Sequence, residues 1–341
     1  FQVAQRGTSS TSNGYQTVDR FLIFYDNTDE APTQEQADVA AGTSPYTSGF
    51  RKSFKITNGN QTGGAGTSDV IVFSTKLEAQ DIANSGWNYT SSSSFITLSF
   101  WVKSSVAQTF YGQLVTDDGT KQNYPFETGS LTADTWTKVT KTIPGNSNLT
   151  FNNDTGEGME MIFALFRGTD TTGSVSLNAW AANNNSVRMP NNTSTWYTTN
   201  DSTFEITAIQ LEVGSVATDF EHRSFEDEIR RCRRYFCKYV GPLNINFVNE
   251  HPNNTAGYLH FPFYEEMRAS PTVTMGSSVN ISRPQVSVSQ KIQSAADIGP
   301  NCFNVIGWSG QGSLGSTGDA YYRMSLSEGD ANSTISCSAE L

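Results

Sequence analysis

The amino-acid sequence predicts an all-β fold: a jelly-roll β-sandwich over residues 1–222, a short linking helix over 223–240 and a smaller C-terminal β domain over 241–341. Three observations carry that prediction. Before the linking helix, about nine segments of strand length alternate with polar turns and not with helices, which excludes α/β folds and favours two packed sheets. Only 16% of the 341 residues are charged and 12% are aromatic, against a background rich in Gly, Ser, Thr and Asn, the composition of many short strands joined by turns. One stretch late in the chain changes period from two to about 3.6 and reads as the helix.

The elements follow in order. Residues 1–20 are polar and turn-rich with one short strand at the start, and 20–25 (RFLIFY) read as a short buried strand. Residues 26–46 are acidic and loop-like. Asp26, Asp29 and Glu30 offer oxygens of the kind calcium takes, but their spacing matches no tight loop motif, so they are read as a solvated loop and no metal is assigned. Phe50, Lys52, Phe54 and Ile56 mark a strand over 49–57. The Gly-rich run at 58–68 has no Lys and no helix after it, so it is a turn and not a phosphate loop. Strong strands are expected at 70–76 and 95–103, the second with Ile96, Leu98, Phe100 and Val102 facing the core and Thr97, Ser99 and Trp101 facing out. Between them, 77–83 form a helical turn or two. Strands at 110–116 and 120–125 flank the hairpin signal Asp117-Asp118-Gly119. A strand at 136–143 is closed by Pro144-Gly145, and 159–167 (MEMIFALFR) is the most apolar strand of the domain.

Residues 178–200 interrupt this pattern. They are Asn-rich and carry Trp180, Trp196 and Tyr197. Aromatic rings in a polar loop serve as sugar-stacking faces, as subunit contacts or as a cover over a sandwich edge, and all three readings stand. A strand follows at 204–213. It has Phe204, Ile206, Ala208, Gln210 and Glu212 on one face and the apolar end Ile209, Leu211 and Val213 on the other, and Gly214 breaks it. Ser224 then stands at a helix N-cap with Asp227 three residues on. Phe225, Ile229, Cys232, Phe236 and Val240 make one apolar helical stripe, with acids in the first turn and Arg230, Arg231, Arg233, Arg234 and Lys238 after them, as the helix dipole favours. Beyond it, strands are expected at 243–248, 257–263, 272–276, 286–292, 301–308, 320–326 and 335–341, with Glu265, Glu266 and Arg268 as a charged edge. The G-x-G-x-x-G at 310–315 has no βαβ context and reads as a loop.

Several function classes are disfavoured. A net charge of −11 argues against nucleic-acid or anionic-membrane binding. No apolar run approaches the ~20 residues of a membrane helix. The first residue is Phe1 and not Met, so the lack of a signal peptide carries no conclusion. His222, His251 and His260 lie in separate contexts, no H-E-x-x-H or G-x-S-x-G is present, and 33 acidic residues offer no distinguishable catalytic pair. No catalytic residue and no cofactor are assigned. The Asn-x-Ser/Thr triplets, such as those at Asn88 and Asn148, are what this composition yields by chance. Among the four cysteines, Cys232 and Cys237 are read on different sides of the helix. Cys302 and Cys337 are possible cross-strand neighbours, and free thiols are expected.

The run QLEVGSVATDFEHRSFEDEIRRCRRYF at 210–236 resembles the junction found in minor structural and tail-fibre-like proteins of tailed bacteriophages. The opening FQVAQRG, the strand ITLSFWVKS at 96–104 and MRASPTVT at 267–274 resemble the same family, so the resemblance touches most of residues 1–275. It implies a carbohydrate-binding-module-like jelly roll joined to a C-terminal β head. It also implies a non-enzymatic virion protein, made in the host cytoplasm, that serves as a tail-fibre component for attachment to a host-surface glycan alongside other virion proteins. A capsid-attached fibre or decoration protein, and the binding module of a secreted polysaccharide-degrading enzyme, are the alternatives. The resembled fibres are homotrimers, which makes Phe225, Ile229, Cys232 and Phe236 candidates for an oligomer interface near the threefold axis. The same stripe, close to heptad spacing over about two heptads, also suits packing against its own chain's sandwich.

Overall fold

The computed structural model describes residues 1–248, 259–283, 286–296, 298–309, 321–327 and 329–341. The chain divides into two compact units, Phe1–Phe225 and Glu226–Glu340. The fold is all-β, and every pairing between its named strands is antiparallel.

The first unit is a jelly-roll sandwich of two six-stranded sheets. The first sheet runs in the order β1 (Ser9–Ser10), β3 (Thr33–Asp38), β4 (Lys52–Thr57), β12 (Thr203–Val213), β6 (Phe95–Ser104), β9 (Thr137–Pro144). The second runs β11 (Ala181–Ala182), β8 (Gln122–Ser130), β7 (Thr109–Thr116), β10 (Glu157–Arg167), β5 (Val70–Glu78), β2 (Leu22–Asp26). Short helices α1 (Ser44–Thr47), α2 (Ala79–Ala83) and α3 (Thr195–Thr198) sit in the connections. The core between the sheets is aromatic: Phe73 stacks on Phe163 at 4.9 Å, and Phe100 and Phe126 meet the same ring edge-on. Ile96, Leu98, Phe100 and Val102 of β6 all face this core, as their alternation requires.

Alternation fails in β12, and the failure is structural. Thr207 pairs with Trp101 and Gln210 with Ser99, so Ala208 and Ile209 together oppose the single residue Phe100. This is a β-bulge, and it exchanges the two faces. Phe204 and Ile206 face the core before it, while Ile209 and Leu211 do so after it, sending Gln210 and Glu212 outward. Ala208 takes φ +55°, a left-handed conformation that a bulge normally reserves for Gly.

Two expectations for this unit need correction. The acidic loop at 26–46 contains strand β3. Its run TQEQAD has no apolar signal, and the strand exists because it pairs along β4 from Thr33↔Thr57 to Asp38↔Lys52. β2 is an edge strand, with Ile23 buried but Phe24 47% exposed, and not a buried one. Asp29 and Glu30 are occupied in structure: their carboxylates accept from the Gly63 and Asn60 amides at 2.6 and 2.7 Å and hold the Gly-rich turn.

In the second unit the helix is shorter than its stripe. α4 covers Phe225–Arg233, and Phe236–Val240 is a strand, β13. Phe236 and Val240 therefore do not continue a helical face. A nine-residue helix is marginal alone, and aromatic and β-branched residues pair into a sheet once a partner strand is present. That partner is β21 (Thr334–Ser338), which lies between β13 and β16 (Thr272–Met275). A further six-stranded sheet runs β14 (Leu243–Val248), β20 (Tyr321–Leu326), β17 (Asn280–Arg283), β18 (Val286–Ala296), β19 (Cys302–Ser309), β15 (Leu259–Pro262). β13 and β17 were not anticipated. Cys337 faces Cys237 and not Cys302, which pairs with Pro262. The glycine motif at 310–315 and His251 lie outside the described residues.

Candidate functional site

The outward residues of β6 and β12, among them Thr97, Ser99 and Thr207, are buried although they point away from the core. Their burial comes from chain that folds back over this face of the first sheet. After Gly214 the segment 214–223 returns across it, fixed by polar anchors. The Thr97 and Thr142 hydroxyls donate to the Gly214 and Ser215 carbonyls, and the Glu221 amide donates to Gln210 at 2.9 Å. The Thr218 amide and hydroxyl both donate to Glu212, at 2.9 and 2.6 Å. Burial pushes the Glu212 carboxyl up, but these donors and the Gln210 amide outweigh it and hold its pKa below the ordinary carboxylate value.

The end of the segment is pinned by rings. Phe220 meets Phe50 edge-on at 4.8 Å, His222 lies 5.0 Å from the same Phe50 ring, and its Nε2 is 3.1 Å from the Ser48 carbonyl. Gly49 is required here: its φ is +97°, and a Cβ on it would stand 2.9 Å from the His222 ring.

Between sheet and cover lies a cavity of about 330 Å³. The sheet contributes Ser99, Phe100 and Trp101, the bulge contributes Ala208, the turn before β4 contributes Ser48 and Phe50, and the cover contributes Thr218, Phe220 and His222. Lys138 and Asp219, both exposed, complete the lining. The chemistry is that of a small polyol site: π faces for C–H surfaces, with hydroxyls, an ammonium and a carboxylate for hydrogen bonds.

A second cavity, of about 540 Å³, opens beside it where β4 has ended and, among the described residues, leaves the far half of β12 without a paired strand on that side. Its walls are apolar (Phe21, Leu77, Met161, Ile209, Leu211), with Gln210, Glu212, Glu221 and Arg223 also in its lining. A smaller one, of about 200 Å³, shares Leu77, Leu211 and Glu212 with it and reaches Trp87.

The aromatic residues singled out at 178–200 are placed elsewhere. Trp196 and Tyr197 are 0% and 1% exposed. Trp196 packs edge-on to Phe110 and donates to the Thr203 carbonyl at 3.0 Å. Tyr197 stacks on Phe166 at 4.3 Å and donates to Asp69, and burial with that acceptor pushes its phenol pKa up. Their rings belong to the core, which removes them as surface stacking faces. Trp180 is half-buried, packs on Tyr124 and donates to the Pro144 carbonyl at 2.7 Å, tying the cover of one sheet to β9 of the other. Of the oligomer-interface candidates, Phe225 is exposed, Ile229 half-buried, Cys232 buried at the end of α4 and Phe236 buried in β13.

The cavity residues carried only a partial signal. Trp101 stands out as a large ring on the outward face of a strand, and Phe220 and His222 as rings in a connecting segment, but nothing local joins them to Phe50, 170 residues earlier than Phe220. Among the described residues no group of three His, Cys, Asp or Glu side chains is arranged to hold a metal ion.

No known family and no curated protein matches the sequence. Solved structures give slight likenesses. The enzymatically active domain of tailspike protein 4 from bacteriophage CBA120 aligns at 9% identity and a TM-score of 0.32, over 57% of this chain and 19% of that one. The N-terminal cellulose-binding domain of Cellulomonas fimi β-1,4-glucanase C aligns at 10% and 0.30, over 63% and 99%. The family 11 carbohydrate-binding module of Clostridium thermocellum aligns at 11% and 0.28, over 62% and 98%. Scores this low add nothing to the strand order described above.

Proposed function

We propose that this chain is a non-catalytic glycan-binding protein of a phage virion, part of a tail fibre that attaches to the host surface. The observation that carries the glycan reading is the 330 Å³ cavity in which Trp101 of the sheet, Phe50 from the turn before β4 and Phe220 of the cover meet polar groups. Its volume suits a short saccharide. Asp219 is its one acidic residue, whereas glycoside hydrolysis calls for two facing carboxylates. The virion and fibre parts of the reading rest on the resemblance of residues 210–236 to the phage junction, a run that supplies Phe220 and His222 to this same cavity. Assembly as a homotrimer, with other virion proteins as partners, belongs to that reading.

The test is saccharide binding by the purified chain, first on a glycan array and then by calorimetry. Trp101→Ala and Phe220→Ala are each expected to weaken binding at least about tenfold, the loss that ~1.4 kcal/mol of stacking and burial represents. Trp180→Ala is expected to leave affinity unchanged. Full affinity in both cavity variants, with the fold intact, overturns the site, and no binding to any glycan overturns the function. Mass measurement in solution tests assembly, where a stable monomer at micromolar concentration rules out the trimer.

A further inference from the structure

Cys237 and Cys337 are directly opposed in the antiparallel pair of β13 and β21. Opposed residues in such a pair have Cα atoms about 4.5 or 5.5 Å apart, depending on the kind of pair, and both values lie within the ~4.4–6.8 Å that a disulfide spans. The two side chains share a face, are 2% and 0% exposed, and are close enough for one thiol to donate to the other sulfur. We propose that this pair is a redox site: a two-electron oxidant of the low-molecular-weight disulfide class closes it into a Cys237–Cys337 bond that fastens an edge strand to the strand at the sheet's centre.

The two sulfurs are not equivalent. The Cys337 thiol donating to it, against the effect of burial, holds the Cys237 pKa below that of an ordinary thiol, and Tyr239 and the Arg233 charge add to this. The same hydrogen bond, with burial, pushes Cys337 up. Cys237 is therefore the attacking thiolate. Its sulfur displaces one thiolate from the oxidant RSSR and forms a mixed disulfide. Cys337 then gives up its proton and attacks the Cys237 sulfur, releasing the second thiolate. Two cysteine thiols are oxidised, one RSSR is reduced to two RSH, and both protons end on the released thiols. Both sulfurs are buried, so the oxidant reaches them when the edge strand β13, which ends at the exposed Val240, opens from β21. The bond would close a loop of about a hundred residues, the length at which a cross-link constrains the unfolded chain strongly.

The experiment treats the reduced, full-length protein with glutathione disulfide, blocks remaining thiols with N-ethylmaleimide and maps peptides without reduction. The expected result is one cross-linked peptide joining Cys237 to Cys337, with Cys232 and Cys302 alkylated. Oxidation is expected to raise the thermal midpoint of this unit by about 5 °C or more. In Cys337→Ser, Cys237 is expected to stop at the glutathione adduct and the midpoint shift to vanish. Should that variant not fold, the peptide map of the unaltered chain decides alone. Recovery of Cys237 and Cys337 as free thiols after oxidation at a temperature that opens the unit, or a dominant link from either to Cys232 or Cys302, overturns the proposal.

Discussion

The segment at 171–192 lies on the outer face of the second sheet, tied by polar anchors around one apolar plug, Met189, while the segment at 214–223 lies on the outer face of the first as a roof whose polar anchors surround a cavity. Under the plug, Met189 is fully buried against Val70, Val72, Ile162 and Ala164. Under the roof, hydroxyls and carboxylates do the fastening, and the rings that remain surround a cavity. Apolar side chains fill the space they enclose because dispersion and burial both reward contact. Hydrogen bonds fix positions without filling volume, so a cover secured mainly by them can leave room for a ligand. The plug is thus read as stability and the roof as function.

The sharpest way to break this comparison is Met189→Ala. Loss of a fully buried side chain is expected to cost about 2–5 kcal/mol in denaturant unfolding, with saccharide affinity of the surviving fold unchanged. A loss of affinity equal to that of a cavity variant would show that the two covers are not independent. Gly49→Ala is expected to lower affinity as well as stability. It places a methyl in the left-handed region and against the His222 ring, costing about 1–3 kcal/mol and weakening binding through displacement of Phe220 and His222. Unaltered affinity in that variant would detach the ring cluster from the site.

Ala208→Gly sharpens the account of the bulge. Relief of the left-handed Ala outweighs the added freedom of the unfolded chain, so a gain of roughly 0.5–1 kcal/mol is expected. A clear destabilisation would mean the bulge does not hold that conformation in solution. The smallest effect is that of pH on the roof. The Glu212 pKa is depressed in the folded state, so its contribution is present above the unfolded carboxylate value and is lost as pH falls through the folded one. Protection of the Thr218 and Glu221 amides, taken relative to the intrinsic exchange rate at each pH, is expected to fall on acidification through that range, and Glu212→Gln is expected to flatten the profile. Protection that falls equally in Glu212→Gln would assign the effect to another group.

The amino-acid sequence by itself determined the all-β class and the facing of β6, because Ile96, Leu98, Phe100 and Val102 repeat at the period of two that a half-buried strand imposes. It also carried the switch in β12. The apolar positions change parity between Ile206 and Ile209, a mark of the bulge that strict alternation conceals. Other features were decided only in three dimensions. Strand β3 has no apolar pattern, and it forms because β4 offers an edge. The spacing of Phe225, Ile229 and Cys232 is helical, and Phe236 and Val240 fall in phase with it, yet they pair in a sheet because β21, a hundred residues later, supplies hydrogen bonds and a core that a short helix lacks. The same distance hid the facing of Cys237 and Cys337. The cavity belongs to this second group as well: Phe50, Trp101 and Phe220 are local to nothing in common and meet only because Gly214 turns the chain back over the sheet.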